Sequence, residues 1–217
     1  MSNNELDSII KNMRYCFIFF GILFSQVVCA QILEDRDLYF KASGSLGNYF
    51  GGKVSLEYVN TKDQSFCFGI YGQERRSHNI PKDYVPPSGV FGQVFLFGLD
   101  YPMEERTTYY LATGKILKLH NSRTRFNFVG GLGCSYLKTP IDFIKKIPQG
   151  SSAENYSYNY KNEYSFGLVI NPSVDFAVWK YFGFSVGLIS IISKDRFSFG
   201  FEVSYLIGLV NNRSKNK

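Results

Sequence analysis

Covalent or acid–base catalysis needs a nucleophile held against a base, and this chain holds only two histidines, His78 and His120. Ser77 precedes His78, but two neighbours in a loop do not form the hydrogen-bonded geometry of an activated nucleophile. No His/Cys cluster has metal-ligand spacing. Gly130-Gly131-Leu132-Gly133 is not a phosphate loop, because no helical pattern follows it. The residues therefore point to no catalytic group, no metal and no cofactor. Two sets with chemical content remain. Lys41, Lys53, Glu57, Arg125, Asp175 and Glu202 each stand on the small-residue face of an alternating segment. Charges so placed form internal ion pairs, with a proton or ion path as the alternative, and Glu202 is expected beside Lys41. The second set is Tyr84, Tyr156, Tyr158 and Tyr160, in two long polar connections, the first stiffened by Pro81, Pro86 and Pro87. Tyr-rich, Ser-rich loops make adaptable contact surfaces.

The elements that position these residues alternate with period two, the signature of strands. From Phe197, the odd positions Phe197, Phe199, Phe201, Val203, Tyr205, Ile207 and Leu209 are all apolar. Between them lie Ser198, Gly200, Glu202, Ser204 and Gly208, with Leu206 the exception. The same rhythm marks 38–47, 51–60, 65–74, 124–137, 164–178 and 181–192. Residues 107–118 are strand-like, with an outer face that the pattern leaves ambiguous. Eight strands result. Short connections fall at 61–64, 119–123 and 179–181, and alternate with 48–50, 193–195 and the long 75–106 and 138–162. Residues 89–101 are strand-like too. A ninth strand would make the number odd, so they are assigned to the first of the two long connections.

No run of 18 or more apolar residues occurs in the chain, against about 20 needed for a spanning helix. Residues 15–24, YCFIFFGILF, have the length of a signal-peptide core, with Lys11 and Arg14 before it and Val28 and Ala30 after it. Residues 1–30 are thus expected to be a cleaved signal, Met13 being an alternative start. Residues 31–210 would form the barrel and 211–217 a polar tail. Cleavage removes Glu5, Asp7, Lys11 and Arg14, so the net charge of +6 is unchanged. The cations are scattered without a stacking-aromatic patch, which argues against nucleic acid as a partner. Of the four cysteines, Cys67 and Cys134 remain after cleavage, which is no disulfide framework.

A soluble sandwich also alternates. What separates the two is the polar face, which here is rich in Gly and Ser with a few charges, as suits the crowded interior of a narrow barrel. The 21 Phe and 16 Tyr suit an outward apolar band with aromatic girdles. The expected fold is all-β: an eight-stranded antiparallel up-and-down transmembrane β-barrel. The outer membrane is its expected location, with both termini periplasmic and both long connections outside.

The stretches TTYYLATGKILKLHNSRTRFNFVGGLGCSY, NYSYNYKNEYSFGLVI and KYFGFSVGLISIISKDRFSFGFEVSYLIGLV resemble small eight-stranded outer-membrane barrels, often labelled porin-like, of Bacteroidota type. The resemblance covers 13–210. In such proteins the last strand carries an insertion signal, and Ser198, Gly200, Val203 and Tyr205 fit its form, although the chain continues through NNRSKNK instead of stopping at an aromatic residue. The resemblance implies outer-membrane lipid, lipopolysaccharide and the barrel assembly machinery as partners. It implies no single activity, since one fold hosts many. The expected function is a non-enzymatic barrel whose external loops bind or cover. An accessory subunit of a larger outer-membrane transport, secretion or conjugation complex, held to another envelope protein, is the alternative. A lipid-modifying enzyme is the third.

Overall fold

In the computed structural model, residues 36–86, 101–119, 123–146, 154–194 and 196–210 are described. The expected signal segment, most of 89–101, His120 and the polar tail lie outside them. Eight strands follow one another: β1 (Asp37–Gly47), β2 (Phe50–Val59), β3 (Gln64–Arg76), β4 (Met103–Lys118), β5 (Thr124–Lys145), β6 (Tyr156–Ala177), β7 (Phe182–Ser193) and β8 (Phe197–Leu209). Each pairs with the next, and β1 pairs antiparallel with β8, which closes the barrel. Within the barrel wall closure removes the free edges, so backbone donors and acceptors there are met within the sheet.

Alternation decides which side chains face in. Along β8 every second residue is buried, Ser198, Gly200, Glu202, Ser204 and Leu206, while Phe201, Val203, Tyr205 and Ile207 are exposed. Strand β4, whose faces the sequence left open, turns Glu104, Arg106, Thr108, Tyr110, Ala112 and Ile116 inward and Tyr109, Leu111 and Leu117 outward. The outward apolar residues form one band around the barrel. It is bordered on the ribbon side by the Tyr136–Tyr164 ring pair and at the other end by Trp179 and Tyr181.

The lumen holds more apolar bulk than the Gly and Ser pattern suggested. Cys67, Tyr71, Tyr110, Ala112, Val129, Val169, Ile189 and Ile191 pack into one internal cluster, and Tyr39, Val59, Ile116, Ala177, Leu206 and Val210 into a second. Gly69 makes room for the first, since a Cβ there would overlap the Tyr110 ring. The ring's hydroxyl lies 3.7 Å from the Cys67 sulfur.

Two features depart from the expected layout. The connection expected over 138–162 is mostly strand: β5 and β6 have 22 residues each, and pair from Thr124–Phe176 out to Lys145–Tyr156. Strands β1 and β2, at 11 and 10 residues, are about the length of a tilted membrane strand. The excess of β5 and β6 rises above the barrel as a two-stranded ribbon. A bulge between Ile141 and Ile144, with Asp142 at φ 54°, bends it. The second departure is at the β1–β2 turn. There the Asn48 side chain donates to the Phe197 carbonyl at 3.0 Å and accepts from the Phe199 N–H at 2.8 Å. It thus prolongs the β1–β8 ladder past the end of β1.

The start of β1 and the end of β8 share one end of the barrel with the 60–63 turn, the ends of β4 and β5 that face each other, and the 178–181 turn. The ribbon, the β3–β4 connection and the β1–β2 and β7–β8 turns occupy the other. Within the first of these turns, Asn60 accepts from the N–H groups of Lys62 and Gln64, a side-chain mimic of a backbone turn.

Cys67 on β3 faces the lumen and Cys134 on β5 does not, with β4 between them. Strands about 4.8 Å apart put alternate strands roughly 10 Å apart, beyond the about 7 Å that a disulfide spans. After oxidation of the folded protein, mass spectrometry is expected to find both thiols free. An intramolecular Cys67–Cys134 bridge would contradict this register.

Candidate functional site

The six charges expected inside are all buried, on β1, β2, β5, β6 and β8. Asp175 is their hub. Its carboxylate takes Lys41 at 3.5 Å and Arg125 at 3.5 Å, and accepts from the Ser173 hydroxyl at 3.2 Å. Arg125 reaches further, to Asp37 at 2.7 Å and to the Val210 carbonyl at 2.7 Å. Glu57 is held by hydrogen bonds from Tyr39, 2.9 Å, and Asn127, 3.0 Å. Glu202 pairs with Lys53 at 2.7 Å and accepts from Ser43 and Ser204 at 2.8 Å each.

The pairing expected between Glu202 and Lys41 is therefore corrected. Strands β1 and β8 are neighbours, but Lys41 is directed across the lumen to Ser173 and Asp175 on β6. Lys53, one strand farther from β8, reaches Glu202 instead. A long side chain in a narrow barrel spans the lumen as readily as it touches the next strand.

At the ribbon end the inward charges are ones the sequence reading missed. Glu104 on β4 is buried, and one of its oxygens accepts from both Arg75 on β3 and Arg196 before β8, each at 2.7 Å. Arg196 also donates to Thr139 at 3.0 Å. Arg106, the largest fully buried side chain, donates to Ser135 at 3.1 Å and to Ser193 at 3.4 Å. The guanidinium of Arg75 lies 4.5 Å from the centre of the buried Tyr49 ring. The signal that could have found them is the extension of the β4 alternation backwards from Thr108 to Arg106 and Glu104.

The four loop tyrosines come together, with a changed role for two of them. Tyr84, Tyr156 and Phe143 pack ring against ring, and Tyr158 joins Phe143 at 5.4 Å and Tyr160 at 5.5 Å. Tyr84 and Tyr156 are buried in this contact. They fasten the segment after β3 to the ribbon and offer little surface, which leaves Tyr158 and Tyr160 as the accessible pair. Asn155 completes the joint, accepting from the Val85 N–H at 2.7 Å and donating to the Asp83 carbonyl at 2.6 Å. Asp83 itself takes Lys145 and Tyr156 at 2.7 Å each.

That last contact has a pH dependence. The hydrogen bond from Lys145, then that from Tyr156, holds the Asp83 carboxyl below its ordinary range. A folded pKa below the unfolded one contributes stability above the unfolded value, about 3.9, and the contribution is lost as pH falls through the folded one. The joint is thus expected to stay closed at neutral pH and to loosen only in strong acid. Protease cleavage within 77–86, followed against pH, is the measurement. Asp83→Asn should cleave faster at pH 7 and lose that dependence. A wild type that loosens between about pH 6 and 5 would instead implicate a different group.

Ser198 and Gly200 of the proposed insertion signal face the lumen, whereas Val203 and Tyr205 face out. The Ser77 hydroxyl accepts from the Asn79 N–H, a local turn. Among the described residues no group of His, Cys, Asp and Glu could hold a metal ion, and no helix is long and apolar enough to cross a membrane.

No family model matches the chain, and no curated protein matches it. Solved structures do. The N-terminal β-barrel domain of Pseudomonas aeruginosa OprF is 11% identical, with a TM-score of 0.46 over 80% of this chain and 97% of that one. Neisserial surface protein A is 10% identical, with a TM-score of 0.47 over 80% and 95%. Ail, the attachment invasion locus protein of Yersinia pestis, is 10% identical, with a TM-score of 0.45 over 81% and 99%. At such identities the likeness is one of form.

Proposed function

We propose that this chain is a non-enzymatic outer-membrane barrel that closes its own lumen and presents the β5–β6 ribbon outside the cell. The observation that carries the reading is the inversion of the usual order. Among the described residues thirty large apolar side chains are exposed, while lysines, arginines and carboxylates lie buried in the interior. In water that outward band would far exceed the few hundred Å² of apolar patch a soluble monomer tolerates. In a bilayer it is the required surface. The bands end at Tyr136 and Tyr164, above which Lys138, Lys161, Asn162 and Glu163 make the ribbon polar.

The termini are then periplasmic, because the turns at their end are short and the ribbon end carries the long connections. Ion pairs and packed rings fill the lumen, so the barrel is no general pore. Tyr158 and Tyr160, stiffened from behind by Phe143, are the surface we assign to binding or covering. The motifs quoted above resemble those of porin-like barrels of Bacteroidota type, and that resemblance supports the reading. They also imply delivery by the barrel assembly machinery into a membrane containing lipopolysaccharide.

The test is fractionation of cells producing the full chain. Recovery in the outer membrane, gel migration that changes on boiling, and labelling of Lys161 in intact cells by an amine reagent that does not cross membranes are the expected results. A soluble periplasmic product would sink the reading. Stable co-purification with a second envelope protein in mild detergent would move it to the accessory-subunit alternative.

A further inference from the structure

Among the described residues the ribbon-end mouth of the lumen holds three inward arginines, Arg75, Arg106 and Arg196, against one buried carboxylate, Glu104; Glu163, near Arg196, is balanced by its own pair with Lys161 at 2.7 Å. The carboxylate is already shared: Arg75 and Arg196 donate to the same oxygen at 2.7 Å each. Arg106 interacts electrostatically with both of those arginines and with Tyr49 and Tyr71, so the like charges are close enough to repel. Its Nε and one Nη are bound to serine hydroxyls, which carry no charge. Its other nitrogen, Nη1, is buried with no hydrogen-bond partner among the described residues, and so is the Tyr49 hydroxyl. A buried donor without an acceptor is costly, and natural structures rarely leave one unmet. Here two such donors belong to one cluster with an excess of two positive charges.

We propose that this mouth is an anion site, built for a tetrahedral oxyanion of the phosphate or sulfate class arriving from solution. The shape favours that class. Arginine forks present paired N–H groups that match two oxygens of a phosphate or sulfate. Arg75 and Arg106 come from the neighbouring strands β3 and β4 and Arg196 from the turn before β8, so a tetrahedral ion can offer an oxygen to each. The route is from above: Arg75 and Arg196 keep about a fifth of their side-chain surface, 21% and 20%, while Arg106 lies closed beneath. All three side chains are on the lumen side of the wall, and the outward row at this level is Glu74, Glu105 and Lys138, the last two paired at 3.4 Å. A lipid headgroup beside the barrel therefore meets no excess of cations, while a soluble ion or the phosphate end of a larger molecule meets arginines. The inference rests on the ribbon end facing the medium, as proposed above.

The experiment uses the full chain folded in detergent micelles. Unfolding temperature, read by boiling-dependent gel migration, is followed while inorganic phosphate replaces chloride at constant ionic strength. A saturating rise with phosphate is expected. Glucose 6-phosphate as a second probe separates the two sources: an equal rise means that the site takes a monoester, and no rise means that it takes the free ion. Arg196→Gln, at the accessible rim, should weaken the apparent phosphate affinity about tenfold or more, as loss of a charged hydrogen bond does. Arg106→Gln should abolish saturation. If Arg106→Gln does not fold, Arg75→Gln, also partly exposed, takes its place with the effect of Arg196→Gln. Phosphate acting no differently from chloride would overturn the site, because water or the chain itself would then complete the arginines. So would an unchanged affinity in Arg196→Gln. Either failure leaves membrane recovery and boiling-dependent migration intact, whereas failure of the barrel reading removes those first.

Discussion

Asp175→Ala is expected to cost the folded barrel about 3–5 kcal/mol, because removal of one member of a buried pair leaves the other uncompensated. The cost should lie at the top of that range, since Asp175 serves two cations, Lys41 and Arg125. Arg125 keeps Asp37 at 2.7 Å, whereas among the described residues Lys41 keeps the Ser173 hydroxyl at 2.9 Å and no carboxylate within ion-pair distance, Glu57 and Glu202 acting on it only from farther away. Lys41 is therefore the stranded charge, and Lys41→Met in the Asp175→Ala background should recover part of the loss. Urea unfolding of the wild type, the single variants and the double variant in one kind of lipid vesicle measures the coupling. An Asp175→Ala barrel within about 0.5 kcal/mol of the wild type would place that side chain in solvent and remove the hub.

Phe201→Arg carries the second large effect. Phe201 is 64% exposed on β8, among outward neighbours Val203 and Tyr205. An arginine on the lipid face well within the bilayer costs about 2–4 kcal/mol. Ser204→Thr, three residues on and facing in, adds one methyl beside Glu202 and should cost less, about 1 kcal/mol or somewhat more. Both belong in the same vesicles and the same urea series. A neutral Phe201→Arg with a severe Ser204→Thr would mean that the apolar face is the inner one and the protein a soluble barrel.

How much of this could be read from the residues depends on which physical force set each feature. The outward face is set by solvent, and solvent acts on every second residue. That is why Phe197 to Leu209 announce β8 and why the side that each strand turns to the lumen could be assigned for seven of the eight. Pairing inside the lumen is set by distance across a closed ring, and Lys41 and Asp175 are 134 residues apart. No local pattern distinguishes Asp175 from Glu202 as the partner of Lys41.

Three further failures have local causes. The ribbon was taken for a loop because both its faces meet water, so Lys138, Lys161 and Asn162 carry no alternation, and the bulge at Asp142 breaks what phase remained. Ile189 and Ile191 were missed as lumen residues because the run LISII is apolar on both faces. Tyr84 and Tyr156 looked like surface because they lie in polar stretches, yet the two stretches bury them against each other.

The clip made by Asn48 bears on how the chain reaches its final form. It binds β8 some 149 residues later in sequence, at the seam where the first strand meets the last. Contacts that join distant parts of a chain form slowly, since the intervening chain must first be ordered. The seam is thus expected to form last, and until it does β1 and β8 each present an open edge on which another chain could add. Loss of the Asn48 amide should leave the finished barrel nearly as stable and lengthen the life of that unsealed intermediate. Its signature would be a greater share of aggregated product at high protein concentration, with unchanged unfolding of the fraction that folds.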